Sequence, residues 1–340
     1  MRMISPRRIL AVFACLVPVA IANAGTLTWP AGLPVFDHIV VVVEENKNYA
    51  QIIGNKDAPY INQLAVEGAS ITKMFGEEHF SQGNYFWLFS GSNQTVGFTD
   101  QVPSAANTRE YPFTASSLGE QLINKGLLFK GYAQELPAIG SDVEFAPANC
   151  TNNRVYGRKH VPWISFASVP NGTTVDTSSN LRFADFPADY DRLPTVAFVI
   201  PDLDHDMHNG KPEKSIPAGD AWLRQNLDGY YQWAKGHNSL LIVTFDENDD
   251  KAGYSGLTNP LVSPDNELSL DLQNRIVTIF AGAHVKPGTY EEGKGTTHVN
   301  VLRTIEAMYG LPQSGAQQPN AAGGGIRDDR IVTDIFQTMK

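Results

Sequence analysis

Three apolar runs of this chain stop on acids. "FDHIVVVV" (36–43) runs into Glu44, Glu45 and Asn46. "TVAFVI" (195–200) runs into Pro201, Asp202, Asp204 and Asp206, and "SLLIVTF" (239–245) runs into Asp246 and Glu247. In open α/β sheets ligands gather beyond the carboxyl ends of the strands. Three such strands would deliver carboxylates to one edge. Crowded carboxylates resist joint ionisation. A cation removes that repulsion, and Glu, Asn and Asp oxygens suit Mg²⁺, Mn²⁺ or Ca²⁺. One acid pair after a strand often only caps a helix or stays solvated; three strands with histidines nearby favour a metal. His205 and His208 lie among three aspartates in "PDLDHDMHNG" (201–210), and His298 precedes a helix-like run. Asp with two His takes Zn²⁺ or another transition metal, so Asp202, Asp206, His208 and His298 form a candidate second site. His38, His79, His237 and His284 read as ordinary surface or core residues.

"HFSQGNYFWLFSGS" (79–92) adds a hydroxyl. Ser81 stands before an aromatic run that would bury itself as a helix. Such a serine either caps that helix or attacks a phosphorus held by the helix N–H groups, its hydroxyl activated by a metal. Spacing alone leaves both open.

These groups need a scaffold, and the alternation of elements supplies one. Strand-like runs at 36–43, 128–134, 195–200, 239–245 and 275–282 alternate with helix-like runs at 58–68, 116–126, 219–236 and 298–310. That pattern predicts an α/β fold, a doubly wound and mainly parallel sheet flanked by helices. Ser116-Ser117 suits an N-cap and Gly126 a C′ position. The Asn-, Pro- and Ser-rich stretch 137–193 reads as a loop-rich insertion in a single domain spanning 25–340. Residues 312–325 read as a linker before a last short helix.

The chain has 340 residues, 42% of them hydrophobic, enough for a sizeable core. A net charge of −10 disfavours nucleic acid as a partner. Arg2, Arg7 and Arg8, then "ILAVFACLVPVAIA", then Ala22-Asn23-Ala24, read as a cleaved export signal over 1–24. Periplasmic or secreted localisation follows, with no stable membrane insertion. Cys15 leaves with that signal, so Cys150 has no intramolecular partner and reads as structural.

Seven stretches in order resemble the bacterial and fungal phosphoesterase family, which contains secreted acid phosphatases and phospholipases C. "EENKNY" is similar to its Glu-Asn-Arg-Ser-Phe signature, and "SQGNYFWLFSG" to its Ser-x-Pro-Asn-Tyr-Leu-Ala-Leu stretch. "KGYAQELP", "YGRKHVPWISF", "IPDLDHDMHNG", "VTFDEND" and "THVNVLRTIEAMYGLP" match five more, over residues 36–312 in all. The family belongs to the alkaline-phosphatase-like superfamily. The resemblance implies a divalent metal (Mg, Mn, Ca or Zn) on Glu45, Asn46, Ser81, Asp246 and Glu247, with Ser81 as the nucleophile. It implies that Asn84 holds a phosphate oxygen, and that His160, Asp206, His208 and His298 line the pocket as phosphate contacts, acid groups or second-metal ligands. The expected activity is acid phosphatase action on small phosphate monoesters through a phosphoserine. The alternatives are a phospholipase C or other phosphodiesterase, and a non-catalytic binding protein on the same fold. Four departures stand out: Gly83 for proline, expected to loosen the loop before the helix, Phe245 for tryptophan, Val161 for asparagine, and Gln134-Glu135 for Glu-Asp.

Overall fold

A computed structural model describes residues 33–148, 154–249, 274–291, 295–315 and 330–337, and the backbone of 256–257. The export signal and Cys150 lie outside the described residues.

The core is a nine-stranded sheet. Its strands are β1 (His38–Glu44), β2 (Ala69–Phe75), β3 (Phe129–Ala133), β4 (Asn180–Arg182), β5 (Val196–Ile200), β6 (Ser239–Phe245), β7 (Arg275–Gly282), β8 (Gly288–Tyr290) and β9 (Thr296–Thr297). They lie in the order β8-β2-β7-β6-β1-β5-β3-β4, with β9 paired to β2. β7 runs antiparallel to both neighbours, and every other pairing is parallel. The central strands are β-branched and buried on both faces: Ile39 to Val43 and Leu240 to Val243 expose 1% or less. Only a sheet covered by helices on each side buries such runs completely. The strands expected from sequence form within a residue or two of their predicted bounds. β2 was not foreseen, because "ASITKMF" mixes polar and apolar residues without clean alternation.

Five helices matter for the site: α1 (Pro59–Glu67), α2 (Ser81–Ser90), α3 (Leu118–Asn124), α4 (Pro212–Ala234) and α5 (His298–Met308). α3 starts as expected, with Ser117 Oγ accepting from Glu120 N at 3.3 Å, and Gly126 takes φ +77° beyond its end. α4 begins seven residues before the expected 219, since Pro212 at its first turn suits a helix start. Asp220 on α4 accepts from the N–H groups of Tyr60 and Ile61 at 3.1 and 2.8 Å, capping α1 from a distance. The short helix expected at the C-terminus is absent from residues 330–337. They run as a turn held by a bridge between Val285 and Phe336. The stretch 137–193 is only partly loop: it contributes β4 and several 3-10 turns, one of them carrying His160. No helix among the described residues is long and apolar enough to cross a membrane.

Candidate active site

Parallel strands end on the same side of a sheet, so their C-terminal residues meet at one edge. Here four strands deliver acids there, not three. β1 leads into Glu45 and Asn46, β5 into Asp202 and Asp206, β6 into Asp246 and Glu247, and β2 into Glu77 and Glu78. The strand ends are tied together: Glu45 N donates to Asp206 O at 2.7 Å and Asp246 N to Glu44 O at 3.0 Å. Asn46 sits at φ +39°, where asparagine is among the tolerated residues. Its N–H donates to Asp246 Oδ1 and its Nδ2 to Glu247 Oε1, both at 3.1 Å. The resulting cluster is buried: Glu45, Asp206, Asp246 and Glu247 expose between 0% and 4%.

Ser81 enters this cluster from α2. All ten residues of that helix are buried, and the aromatic run Tyr85, Phe86, Trp87 and Phe89 anchors it. Each such side chain contributes roughly 1.5–3 kcal/mol on burial. Phe80, not Ser81, holds the N-cap position, and no side chain caps there. The Ser81 hydroxyl instead lies 3.1 Å from Glu45 Oε2 and 3.0 Å from Glu247 Oε1. One hydroxyl proton cannot serve both acceptors at once. The capping alternative thus gives way to a hydroxyl aimed between two carboxylates. Asp100 Oδ1 accepts from Gln82 N at 3.2 Å, and its other oxygen from Lys159 Nζ at 2.8 Å.

The remaining expected residues divide. His160 stacks on Tyr85 with ring centroids 4.9 Å apart. Its Nε2 is 3.1 Å from Glu45 Oε1 and its Nδ1 3.7 Å from Asp206 Oδ2; neither contact is aligned as a hydrogen bond. Tyr85 donates to the same Glu45 Oε1 at 2.6 Å. His208 lies near His160, with ring centroids 6.1 Å apart. Asn84 spends its side chain on the preceding loop. Its Oδ1 accepts from Glu77 N and Glu78 N, and its Nδ2 donates to Glu78 O. Its geometry is that of a loop brace rather than of a phosphate contact. His298 has both ring nitrogens engaged, Nδ1 with Glu77 Oε2 at 2.6 Å and Nε2 with Phe245 O at 2.8 Å.

The candidate second metal set does not assemble as expected. Asp202 Oδ1 accepts from Asp204 N, His205 N and His205 Nδ1, so that carboxylate closes its own turn. His298 is held at Glu77 and the end of β6. The set of three donors that does converge among the described residues is Glu45, His160 and Asp206, with one ligand atom from each within 4.8 Å of the others.

Sequence reasoning missed several members. His79, taken as ordinary, places Nδ1 against Glu247 Oε2. Its position two residues before Ser81 was the available signal. Lys47 is buried, and its Nζ donates to Asn46 O and Met207 O, both at 2.9 Å. Met207 holds φ +75°, a strained value for a non-glycine residue. Gln134, one of the four departures, accepts from Asp202 N at 3.1 Å and so braces the loop after β5.

The position of Gly83 corrects one expectation. It lies inside the first turn of α2, not in a loop before it. A Cβ there would fall 1.7 Å from Glu78 Oε1. Glu78 is fixed, its Oε2 accepting from Trp87 Nε1 and Asn93 Nδ2 at 2.9 and 2.8 Å, and burial pushes its carboxyl up to about 7. Gly83→Ala is therefore expected to cost about 1–3 kcal/mol through overpacking, read from urea unfolding. An unchanged midpoint would show that Glu78 swings aside freely.

The electrostatics ask for a cation. Burial, reinforced by neighbouring acids, raises the carboxyls of Asp246 and Asp206; in Glu45 burial also dominates, against an opposing pull from Lys159. Burial, then Lys159, holds His160 well below its usual range, as a neutral imidazole fit to be a ligand. Burial alone would lower His298, but Glu77 outweighs it and the net shift is upward. Asn46 Oδ1, Asp246 Oδ2, Asp206 Oδ2 and both oxygens of Glu44 are buried with no hydrogen-bond partner among the described residues. Orphaned acceptors of this kind fit a hard divalent ion. A consequence follows for the metal-free chain. Carboxyls raised in the folded state favour folding while protonated, below about pH 4, and that contribution is lost as pH rises through the raised folded values. The melting temperature of EDTA-treated chain should fall as pH rises above about 4, and added Mn²⁺ should restore it. A flat profile that ignores Mn²⁺ would contradict the cluster's role.

Residues 55–312 match the Phosphoesterase family. The chain belongs to that family. It is a phosphoric ester hydrolase, in keeping with its similarity to a phosphatidylinositol-3-phosphatase of Mycobacterium tuberculosis, 44% identical over 287 residues, 84% of this chain and 81% of the relative. A probable acid phosphatase of Kluyveromyces lactis and an acid phosphatase of Aspergillus fumigatus are each 24% identical, over 84% and 82% of this chain. The phosphoesterase chain spans only 61% and 56% of those two fungal proteins. In fold it is similar to an alkaline phosphatase superfamily protein from Vibrio parahaemolyticus, with a TM-score of 0.55 at 12% identity, over 84% of this chain and 69% of that one.

Proposed function

We propose that this phosphoesterase is an exported, metal-dependent phosphatase that hydrolyses phosphate monoesters through a phosphoserine on Ser81. The observation that carries the reading is the Ser81 hydroxyl set between Glu45 and Glu247 at 3.1 and 3.0 Å beside orphaned carboxylate oxygens. Glu45, Asn46, Asp246 and Glu247 are the residues that would hold the cation. Once bound, it offsets their repulsion and favours the ionised Ser81 hydroxyl.

Monoester hydrolysis passes through a loose transition state with charge on the phosphoryl oxygens. Ser81 supplies the attacking oxygen from the first turn of α2, the positive end of the helix dipole, which favours an anion there. Lys159 backs Asp100, which holds the N–H next to Ser81, and His79 backs Glu247, which faces the Ser81 hydroxyl. Asn84 and the pair Glu77–His298 act as positioning residues: the first fixes the loop leading to Ser81, the second braces the end of β6 just before Asp246. His208, whose ring lies 6.1 Å from that of His160, is the group suited to protonate the leaving alcohol. Water then cleaves the phosphoserine.

The name of the 44% identical relative supports extending the substrate class to monoesters on lipid headgroups. The test is turnover of p-nitrophenyl phosphate against p-nitrophenyl phosphorylcholine, with and without EDTA. EDTA-sensitive release from the first alone supports the monoesterase reading. Release mainly from the second would make the protein a diesterase.

A further inference from the structure

A phosphoryl group at Ser81 brings negative charge to a hydroxyl flanked by carboxylates. A cation on those carboxylates offsets part of it, and the phosphoryl oxygens turned away from that cation need donors from the chain itself. Basic side chains in the neighbouring segments are mostly committed. Lys47 is 3% exposed and spends its ammonium on Asn46 O and Met207 O. Arg158 donates to Asp142 O, Pro103 O and the Tyr111 hydroxyl. Arg154 lies over the Phe145 ring, 3.5 Å from its centroid. Lys159 differs. Asp100 is its one hydrogen-bond partner among the described residues, at 2.8 Å, and an ammonium carries three donors. Its side chain keeps 18% exposure and lines, with Asp100 and His208, a cavity of about 370 Å³.

We infer that Lys159 is a catalytic residue whose ammonium holds a non-bridging oxygen of the phosphoryl group at Ser81. The inference rests on the phosphatase reading above. Placement carries it. Lys159 belongs to the 3-10 turn Arg158–His160, and its neighbour His160 stacks on Tyr85 of α2. That contact sets the turn against the helix that carries Ser81. From the other side, Gln82 clasps the loop of Asp100. Its Nε2 donates to Thr99 O and Gln101 O at 3.2 and 3.0 Å, and its backbone N–H to Asp100 Oδ1 at 3.2 Å. One carboxylate therefore separates the Lys159 ammonium from the residue next to Ser81. The charge of Lys159 is felt inside the cluster, where it opposes the effect of burial on Glu45. Asp100 takes one of its N–H groups and leaves the others for the substrate. A lysine is a compact charge on a flexible stem and meets a phosphoryl oxygen as a point charge. Charge spreads over those oxygens in the loose transition state, where a fixed cation stabilises it. Lys159 neither gains nor loses a proton in this step, and protonation of the leaving alcohol stays with His208.

The test uses the full chain loaded with Mn²⁺, with inorganic phosphate as the binding probe and p-nitrophenyl phosphate as the substrate. Lys159→Met keeps an unbranched stem and removes the charge. It should weaken phosphate binding by about 10- to 100-fold, the loss of one charge-assisted hydrogen bond, and lower kcat/KM at least as far. Its Mn²⁺ content, by elemental analysis, should stay that of the parent. Lys159→Gln, which can still donate to Asp100 without the charge, should show the same loss and replaces the methionine variant should that one unfold. Lys159→Arg restores the charge and should recover phosphate affinity to within about threefold of the parent. Parent-like phosphate affinity in the uncharged variants, a loss that Lys159→Arg shares in full, or loss of Mn²⁺ together with phosphate overturns the assignment. The last of these would make Lys159 a brace of the carboxylate cluster. Phosphate binding that depends on Lys159, in a chain that releases no phosphate from p-nitrophenyl phosphate, would sink the phosphatase reading alone.

Discussion

Ser81→Ala is expected to lower turnover by about 10³- to 10⁶-fold, the range in which loss of a covalent nucleophile falls. The change in stability should be small, on the order of 1 kcal/mol. The hydroxyl lies buried between Glu45 and Glu247, so its removal takes away a single donor, and Glu247 Oε1 keeps Asn46 Nδ2, without opening a large void. Thermal melts therefore cannot separate a structural serine from a catalytic one, and rate constants can. Turnover within tenfold of the unsubstituted chain would remove Ser81 from the chemistry.

Asp246→Asn should separate stability from activity in the opposite sense. An asparagine oxygen can still accept from Asn46 N, now at 3.1 Å from Asp246 Oδ1. One negative charge leaves a buried cluster in which Glu45 and Glu247 both push the Asp246 carboxyl upward, after burial itself. The metal-free variant should thus melt above the metal-free parent, while its divalent-ion content and turnover collapse. The Asp246 oxygen with no partner would no longer be an anionic ligand. Full occupancy by elemental analysis, or a melting temperature below that of the metal-free parent, would contradict this account of the cluster.

The sheet was legible because its central strands are apolar runs ended by acids, and the acids were the visible part of the site. Glu45, Asn46, Asp246 and Glu247 announced themselves by following such runs. Glu77 and Glu78 did not, since β2 carries Thr72 and Lys73 and does not look like a buried strand. His79 and Lys159 were hidden for another reason. A lone His or Lys has no periodicity, and only the fold brings Lys159 to Asp100 and His79 to Glu247. Gly83 was read through its neighbours in sequence, whereas the constraint comes from the Glu78 side chain packed against it. For Asp202 and His298 the residue type was right for a ligand. Local turn closure in the first, and a buried Glu77 partner in the second, gave them other work.

The central claim is that Ser81 carries the phosphoryl group between substrate and water. Rapid mixing of the metal-loaded chain with a ³²P-labelled monoester, acid quench and peptide mapping tests it directly. The account predicts label on the peptide containing Ser81, reaching up to one phosphate per chain and absent in Ser81→Ala. Label on a histidine, or unchanged turnover with no label retained on Ser81, would contradict it.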